Sequence, residues 1–106
     1  MSEIEKIIES VALSFKRELE DEMKQSPMRY NETSVNILRG GIAACDSLQS
    51  VNSVDLEKLI DVKIELINHV KQTLLAIGEL DEVVFPLLDG YLDGYGSVKG
   101  QIFFKK

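Results

Sequence analysis

The sequence lacks three features on which many functional sites and membrane anchors depend. Its single cysteine, Cys45, excludes an intramolecular disulfide and a metal site built from several cysteines. Its single histidine, His69, leaves any Ser-His-Asp or Cys-His arrangement without a second candidate base. No apolar stretch reaches the roughly 18 residues that a membrane-spanning helix needs. We therefore expect neither a disulfide-stabilised nor a membrane-embedded protein.

Basic residues are also in the minority. Twelve Lys and Arg stand against eighteen Asp and Glu, which gives the 106-residue chain a net charge of -6. An acidic chain is not attracted electrostatically to nucleic-acid phosphates or to an anionic membrane surface. The N-terminus has no basic region before an apolar run, so no secretion signal is visible. These features predict one small cytoplasmic domain over residues 1–106, without direct nucleic-acid or membrane binding.

The first 25 residues carry the period of an amphipathic helix. Ser2 is placed to cap the start of this helix, with Glu5 three residues later, and Pro27 ends the pattern. Apolar side chains that recur at spacings of three or four share one face of it: Ile4, Ile8, Val11, Phe15 and Leu19. We therefore predict a long first helix that ends before Pro27.

A second helix is predicted from residue 31 or 33 to about residue 48. It contains Gly40-Gly41, and each glycine costs about 0.8–1 kcal/mol relative to alanine inside a helix. The pair either lets the backbone of another helix come close or breaks the segment in two. Because no polar loop residues flank the glycines, we favour close packing, with Ala44 and Cys45 extending the patch of small residues.

The third helix is the most clearly delimited. Asn52 or Ser53 can cap its start, and Gly78 stands where a C-terminal glycine is common. Its apolar arc is wide, which indicates burial against more than one neighbour. Three helices joined by short loops predict an antiparallel bundle over residues 1–78. The predicted core consists of Ile8, Val11, Phe15, Leu19, Leu38, Ile42, Leu56, Ile60, Ile64, Ile67, Leu74 and Ile77.

The composition changes after Gly78, in a C-terminal segment over residues 79–106 that is acidic, aromatic and rich in glycine. A short helix from Leu80 toward Leu92 is predicted here, with Pro86 kinking it or starting a second piece. Residues 98–104 have the β-branched and aromatic content of a strand. The predicted fold class is therefore all-α: a small antiparallel bundle of three to four helices with an irregular C-terminal segment that can form a strand.

Residue combinations that support catalysis or metal binding are few. Asp61, Glu65 and His69 form a column on the third helix, but helical di-metal sites need carboxylates from several helices and a second histidine. The segment 89–94 matches a calcium loop only in part, because the ligands at positions three and twelve of the motif are missing. Cys45 is expected to be a small buried apolar residue. We therefore expect no enzyme, no metal site and no cofactor.

The aromatic and acidic residues clustered near the C-terminus have two interpretations, which can hold together. In the first, the apolar side chains of the segment cover the open face of the three-helix bundle: Phe85, Leu87, Leu88, Tyr91 and Ile102. In the second, its tyrosines form a surface for protein recognition, because tyrosine offers rigid contact area with a polar tip. The leading hypothesis is a non-enzymatic protein-binding module, such as an inhibitor, immunity-type or adaptor protein of bacterial or phage origin. We expect the tyrosines and aspartates of this segment to lie on the outside. The residues expected to contact the partner are Glu82, Asp89, Tyr91, Asp93, Tyr95 and Phe103.

Two alternative functions stay open at this point. An obligate homo-oligomer, for instance a homodimer, would use the wide apolar arc of the third helix, the small residues near Gly41 and an exchanged C-terminal strand. A nucleic-acid mimic would instead present carboxylates to a basic groove. Its carboxylates would come from Glu18, Asp21 and Glu22 together with those of residues 79–93.

Overall fold

The computed structural model describes residues 3–24, 32–49, 56–79 and 81–103, and these ranges form four α-helices. The helices are α1 (Glu3–Lys24), α2 (Glu32–Gln49), α3 (Leu56–Ala76) and α4 (Val84–Phe103). The expectation of an all-α bundle is confirmed. The predicted caps Ser2, Asn31, Asn52 and Ser53 and the predicted stop at Pro27 lie outside the described residues. None of the helices in these ranges combines the length and apolarity needed to cross a lipid bilayer.

The C-terminal end of α3 is closed by the glycine that the sequence indicates. Gly78 has a φ of 77°, in the left-handed region that a side chain disfavours. The Gly78 N–H donates to the carbonyl of Leu75 at 3.1 Å, and the Glu79 N–H donates to the carbonyl of Leu74 at 2.9 Å. These two bonds form a Schellman motif, so the prediction of a helix end at Gly78 is confirmed.

α4 is one continuous helix of 20 residues, and the predicted strand is wrong. The Asp81 carboxylate accepts hydrogen bonds from the backbone N–H groups of Val83 and Val84, at 2.8 and 2.9 Å. These bonds lower the pKa of Asp81 and cap the helix start. Pro86 is the third residue of α4 and lies in its first turn, where proline is tolerated. The backbone bonds on either side of it, from Phe85 to the carbonyl of Asp81 and from Leu87 to that of Val83, are both formed at 3.2 Å. Proline therefore starts the helix here and does not divide it.

The β-branched and aromatic residues near the C-terminus follow a helical spacing. Tyr95 and Val98 are 3% and 0% exposed, and Ile102, one helical turn further on, packs against the same core. A strand would send alternate residues to opposite sides, whereas the i, i+3, i+7 spacing puts these three on one face. Burial of this face outweighs the local preference for a strand and the cost of four helical glycines.

The closest contact between helices joins α2 and α4. A Cβ atom placed on Gly90 would lie 1.9 Å from the carbonyl oxygen of Ile37, and one on Gly40 would lie 2.1 Å from the carbonyl oxygen of Leu87. One turn later, a Cβ on Gly94 would lie 2.7 Å from the Cβ of Ala44. The prediction that small residues of the second helix admit another backbone is confirmed. The contacts advance together along both helices, so α2 and α4 are parallel.

Two ion pairs show that α3 runs antiparallel to α4. Lys71, late in α3, pairs with Asp89, early in α4, at 2.5 Å. Asp61, early in α3, pairs with Lys99, late in α4. Exposed pairs of this kind contribute about 0–1 kcal/mol each, so they fix the register more than the stability.

α1 also runs antiparallel to α4. Glu18, late in α1, lines one surface cleft with Asp93, whereas Ile4, early in α1, lines another with Gln101. Consecutive helices therefore alternate in direction, as predicted. α4 packs against all three of the other described helices.

The core runs along α4 and contains part of the predicted set. Ile8, Val11, Leu38, Leu56 and Ile60 are buried as predicted. Phe15, Ile64 and Ile67 are partly buried and pack against this core, while Leu19, Ile42 and Leu74 have intermediate exposure. The assignment of Ile77 to the core is wrong, because this side chain is 66% exposed in the turn after α3.

The glycine contact leads to a paired prediction within one helix. We expect Gly90→Ala to lower the free energy of unfolding by about 1–3 kcal/mol, because its methyl group meets backbone atoms that are not free to rotate away. Gly96→Ala is the matched control, because nothing lies within 4 Å of its new Cβ. It should raise the free energy of unfolding by up to about 1 kcal/mol. Urea denaturation followed by circular dichroism measures both, and equal effects would contradict the close approach.

Candidate functional site

The six residues expected to contact a partner do not share one surface. Glu82 is exposed in the turn before α4, and Asp93 is exposed on α4 itself. Phe103 is the last residue of α4 and packs, partly buried, against the core. Asp89 forms the ion pair with Lys71 described above. Their roles in binding stay predictions, but a single docking face cannot contain them all.

Tyr95 belongs to the core, so the expectation that it lies outside is wrong. Its side chain is 3% exposed, and its hydroxyl lies 3.0 Å from Oγ of Ser47. Because Ser47 donates its own hydrogen to the carbonyl of Ala44 at 2.7 Å, the tyrosine is the donor in this pair. A phenol whose hydroxyl has a hydrogen-bond partner can be buried together with its ring.

Tyr91 is half-buried and lies beside the crossing of α2 and α4. Its ring centroid lies 6.1 Å from that of Tyr95, and its backbone nitrogen adjoins Gly40. Lys63 of α3 places its Nζ 6.0 Å from the centre of the Tyr95 ring, at the outer limit of a cation–π contact. Tyr95 therefore joins helices within the chain and has almost no surface for a partner, whereas Tyr91 is only partly buried.

A cleft of about 420 Å³ lies between α1, α2 and α4. Its apolar lining comes from Phe15 of α1 and from Ile37 and Leu38 of α2. Four carboxylate side chains also line it, and none of its described lining residues is basic. The acidic residues are Glu18, Asp21 and Glu22 of α1 and Asp93 of α4, and Ser34 of α2 completes the lining. The cleft thus combines apolar contact area with negative charge.

The fold explains why these groups meet. Glu18 and Glu22, three and seven positions after Phe15, lie one and two turns along the same side of α1. Asp21 lies further around the helix and lines the cleft beside them. The Phe15 ring sits against Gly41, where an added Cβ would lie 2.8 Å from two ring carbons. Asp93 immediately precedes Gly94, whose contact with Ala44 holds α4 against α2. The α2–α4 contact therefore sets the position of the fourth carboxylate.

The sequence indicates the acidic part of this site but not its apolar part. The nucleic-acid-mimic alternative already combines the carboxylates of α1 with those of residues 79–93, which include Asp93. No sequence pattern places Ile37 and Leu38 beside them. The sequence signal for such a site is a large aromatic residue followed, within the next two helical turns, by several acidic residues. This pattern indicates a surface that is both apolar and negatively charged.

Among the described residues, neither the cysteine nor a group of metal-ligating side chains forms a second site. Cys45 is fully buried, and burial raises the pKa of its thiol to about 11, so it is protonated at neutral pH. Its assignment as a small buried residue is confirmed. Among the described residues, no three His, Cys, Asp or Glu side chains come together in a way that could hold a metal ion.

Comparison with protein-family models, with curated proteins and with solved structures finds no match to this chain.

Proposed function

We propose that this protein is a non-enzymatic binding module that docks on another protein through the cleft between α1, α2 and α4. The observation that carries the proposal is the apolar lining of Phe15, Ile37 and Leu38 with carboxylates around it. Protein interfaces commonly combine an apolar centre with a polar rim, and aromatic residues are enriched at the centre. An inhibitor, an immunity-type protein and an adaptor all act by docking of this kind.

The cleft is large enough for the anchor of a partner. Its volume lies within the range of about 300–1,000 Å³ that is typical of ligand sites. Interfaces gain most of their free energy from a few side chains that fill such depressions. A docking side chain would remove the exposed part of the Phe15 and Ile37 surfaces from water, which stabilises a complex by about 25 cal/mol per Å² of apolar area.

Affinity capture with a matched pair of variants tests this proposal. Ile37→Glu puts a charge on the apolar lining, while Leu13→Glu makes the same kind of change on α1 at a side chain that is 45% exposed and lies outside the cleft lining. We expect at least one protein that wild type and Leu13→Glu recover equally and Ile37→Glu recovers at least about tenfold less, a loss of about 1.4 kcal/mol. Quantitative mass spectrometry measures the recovery.

Thermal unfolding by circular dichroism first establishes that both variants are folded. If every recovered protein binds Ile37→Glu and Leu13→Glu to the same extent, the cleft is not the docking site.

A second candidate function is self-association through the outer face of α3. Val62 and Leu66, one turn apart, are 54% and 57% exposed, and Ile77 is also exposed. The other grounds for an oligomer no longer hold, because α4 replaces the strand proposed for exchange and covers the small residues near Gly41. The apolar face of α3 is the feature that supports this candidate.

Light scattering on the double variant Val62→Glu/Leu66→Glu tests self-association. If α3 joins two copies, wild type has twice the mass of one chain at micromolar concentration, and the variant has the mass of one chain. The charges prevent apolar contact without entering the core, since both positions are exposed. A wild-type protein that is already monomeric contradicts this candidate.

A further inference from the structure

We infer that the occupant of the cleft is a basic amphipathic helix of a partner protein, with apolar residues on one face and Lys or Arg beside them. This inference rests on the proposed function and adds the chemistry of the partner. Three properties of the cleft support it: the sign of its charge, the spacing of that charge along α1, and its apolar lining.

The negative charge of the cleft favours a partner segment of positive charge. Glu18, Asp21 and Asp93 are exposed, and among the described residues no ion pair engages them. An acidic segment would be repelled, and a neutral segment would remove water from carboxylates without replacing their hydrogen bonds. Lys or Arg side chains replace those bonds with charge-assisted ones. The net charge of -6 adds a long-range attraction that speeds encounter with a basic partner.

The spacing of the charges matches a helix. Glu18 and Asp21 are three residues apart on α1, which places them about one turn, or roughly 4.5 Å, from each other along the axis. Basic residues repeated every three or four positions on a partner helix have the same spacing. Asp93 adds a carboxylate from α4. A helix lying along α1 would thus place a basic residue against each of several carboxylates in turn.

The apolar lining of the cleft favours an amphipathic helix over a segment that is only positively charged. Phe15, Ile37 and Leu38 offer surface that gains nothing from a lysine or arginine head group alone. Leu, Ile, Met or Phe at a position facing the cleft would bury against them, as an amphipathic helix does in a groove. A nucleic-acid mimic acts through carboxylates that imitate phosphates, so this apolar lining has no part in that kind of binding.

Three labelled peptides of about 18 residues, or roughly 27 Å of helix, test the inference by fluorescence anisotropy. The first has leucine on one face and lysine elsewhere. The second has glutamate in place of lysine, and the third keeps lysine but has glutamine in place of leucine. We expect the first peptide to bind at least about tenfold more tightly than either of the others, and added salt to weaken it.

A pair of triple variants locates the binding. Glu18→Gln/Asp21→Asn/Asp93→Asn removes three charges at the cleft and should weaken binding of the first peptide about tenfold, because three ion pairs with its lysines are lost. A control triple variant that removes the same charge outside the cleft should change the affinity for the first peptide less than about twofold. That control is Glu9→Gln/Glu57→Gln/Glu65→Gln, whose side chains are exposed and outside the cleft lining.

Each other outcome overturns the inference in a distinct way. Equal binding of the glutamate peptide means that charge does not select the partner. Equal binding of the glutamine peptide means docking by charge alone, as in a nucleic-acid mimic. Equal loss in both triple variants means general attraction to an acidic protein. If captured partners still depend on Ile37 while the first peptide is not favoured, the proposed docking function stands and only the partner chemistry is wrong.

Discussion

The contact between the backbones of α2 and α4 is the constraint on which the rest of the structure depends. At Gly40, Gly90 and Gly94 the helices come so close that a methyl group would meet main-chain atoms or the Cβ of Ala44. Because main chain cannot rotate aside as a side chain can, this contact specifies which residues of α4 face α2. Tyr95 and Val98 then fall in the core, and Asp93 falls beside the cleft. α3 reaches the other helices by packing on α4.

Sequence periodicity was sufficient for the first three helices, because each carries an apolar stripe that no competing signal contradicts. The positions of single glycines predicted two further features: the helix end at Gly78, whose left-handed backbone favours glycine, and the close packing at Gly40. Periodicity alone was not sufficient elsewhere. It failed for α4, where glycines, Pro86 and β-branched residues all disfavour a helix locally. The burial of Val98 and its neighbours outweighs those preferences, and burial against other helices is not a local property.

The candidate site shows the same division between local and tertiary information. The acidic column of α1 follows from helical spacing alone, so the sequence revealed it. The neighbourhood of Asp93 depends on how α4 packs on α2. The burial of Tyr95 depends on a hydroxyl partner, Ser47, that lies 48 positions earlier in the chain, and no local pattern indicates this pair. The docking surface that we propose is therefore a cleft whose charge comes from α1 and α4 together, in place of the tyrosine-bearing segment.

The most direct measurement of the central claim is a nuclear Overhauser spectrum of protein carrying ¹³C-labelled glycine. The account predicts cross-peaks between the α protons of Gly40 and Gly90 and between those of Gly41 and Gly94, which belong to different helices. It also predicts that a paramagnetic agent in the solvent broadens Gly96 but not Gly90, since only Gly96 is exposed. Absence of the interhelical cross-peaks, with Gly90 broadened as strongly as Gly96, would contradict the account.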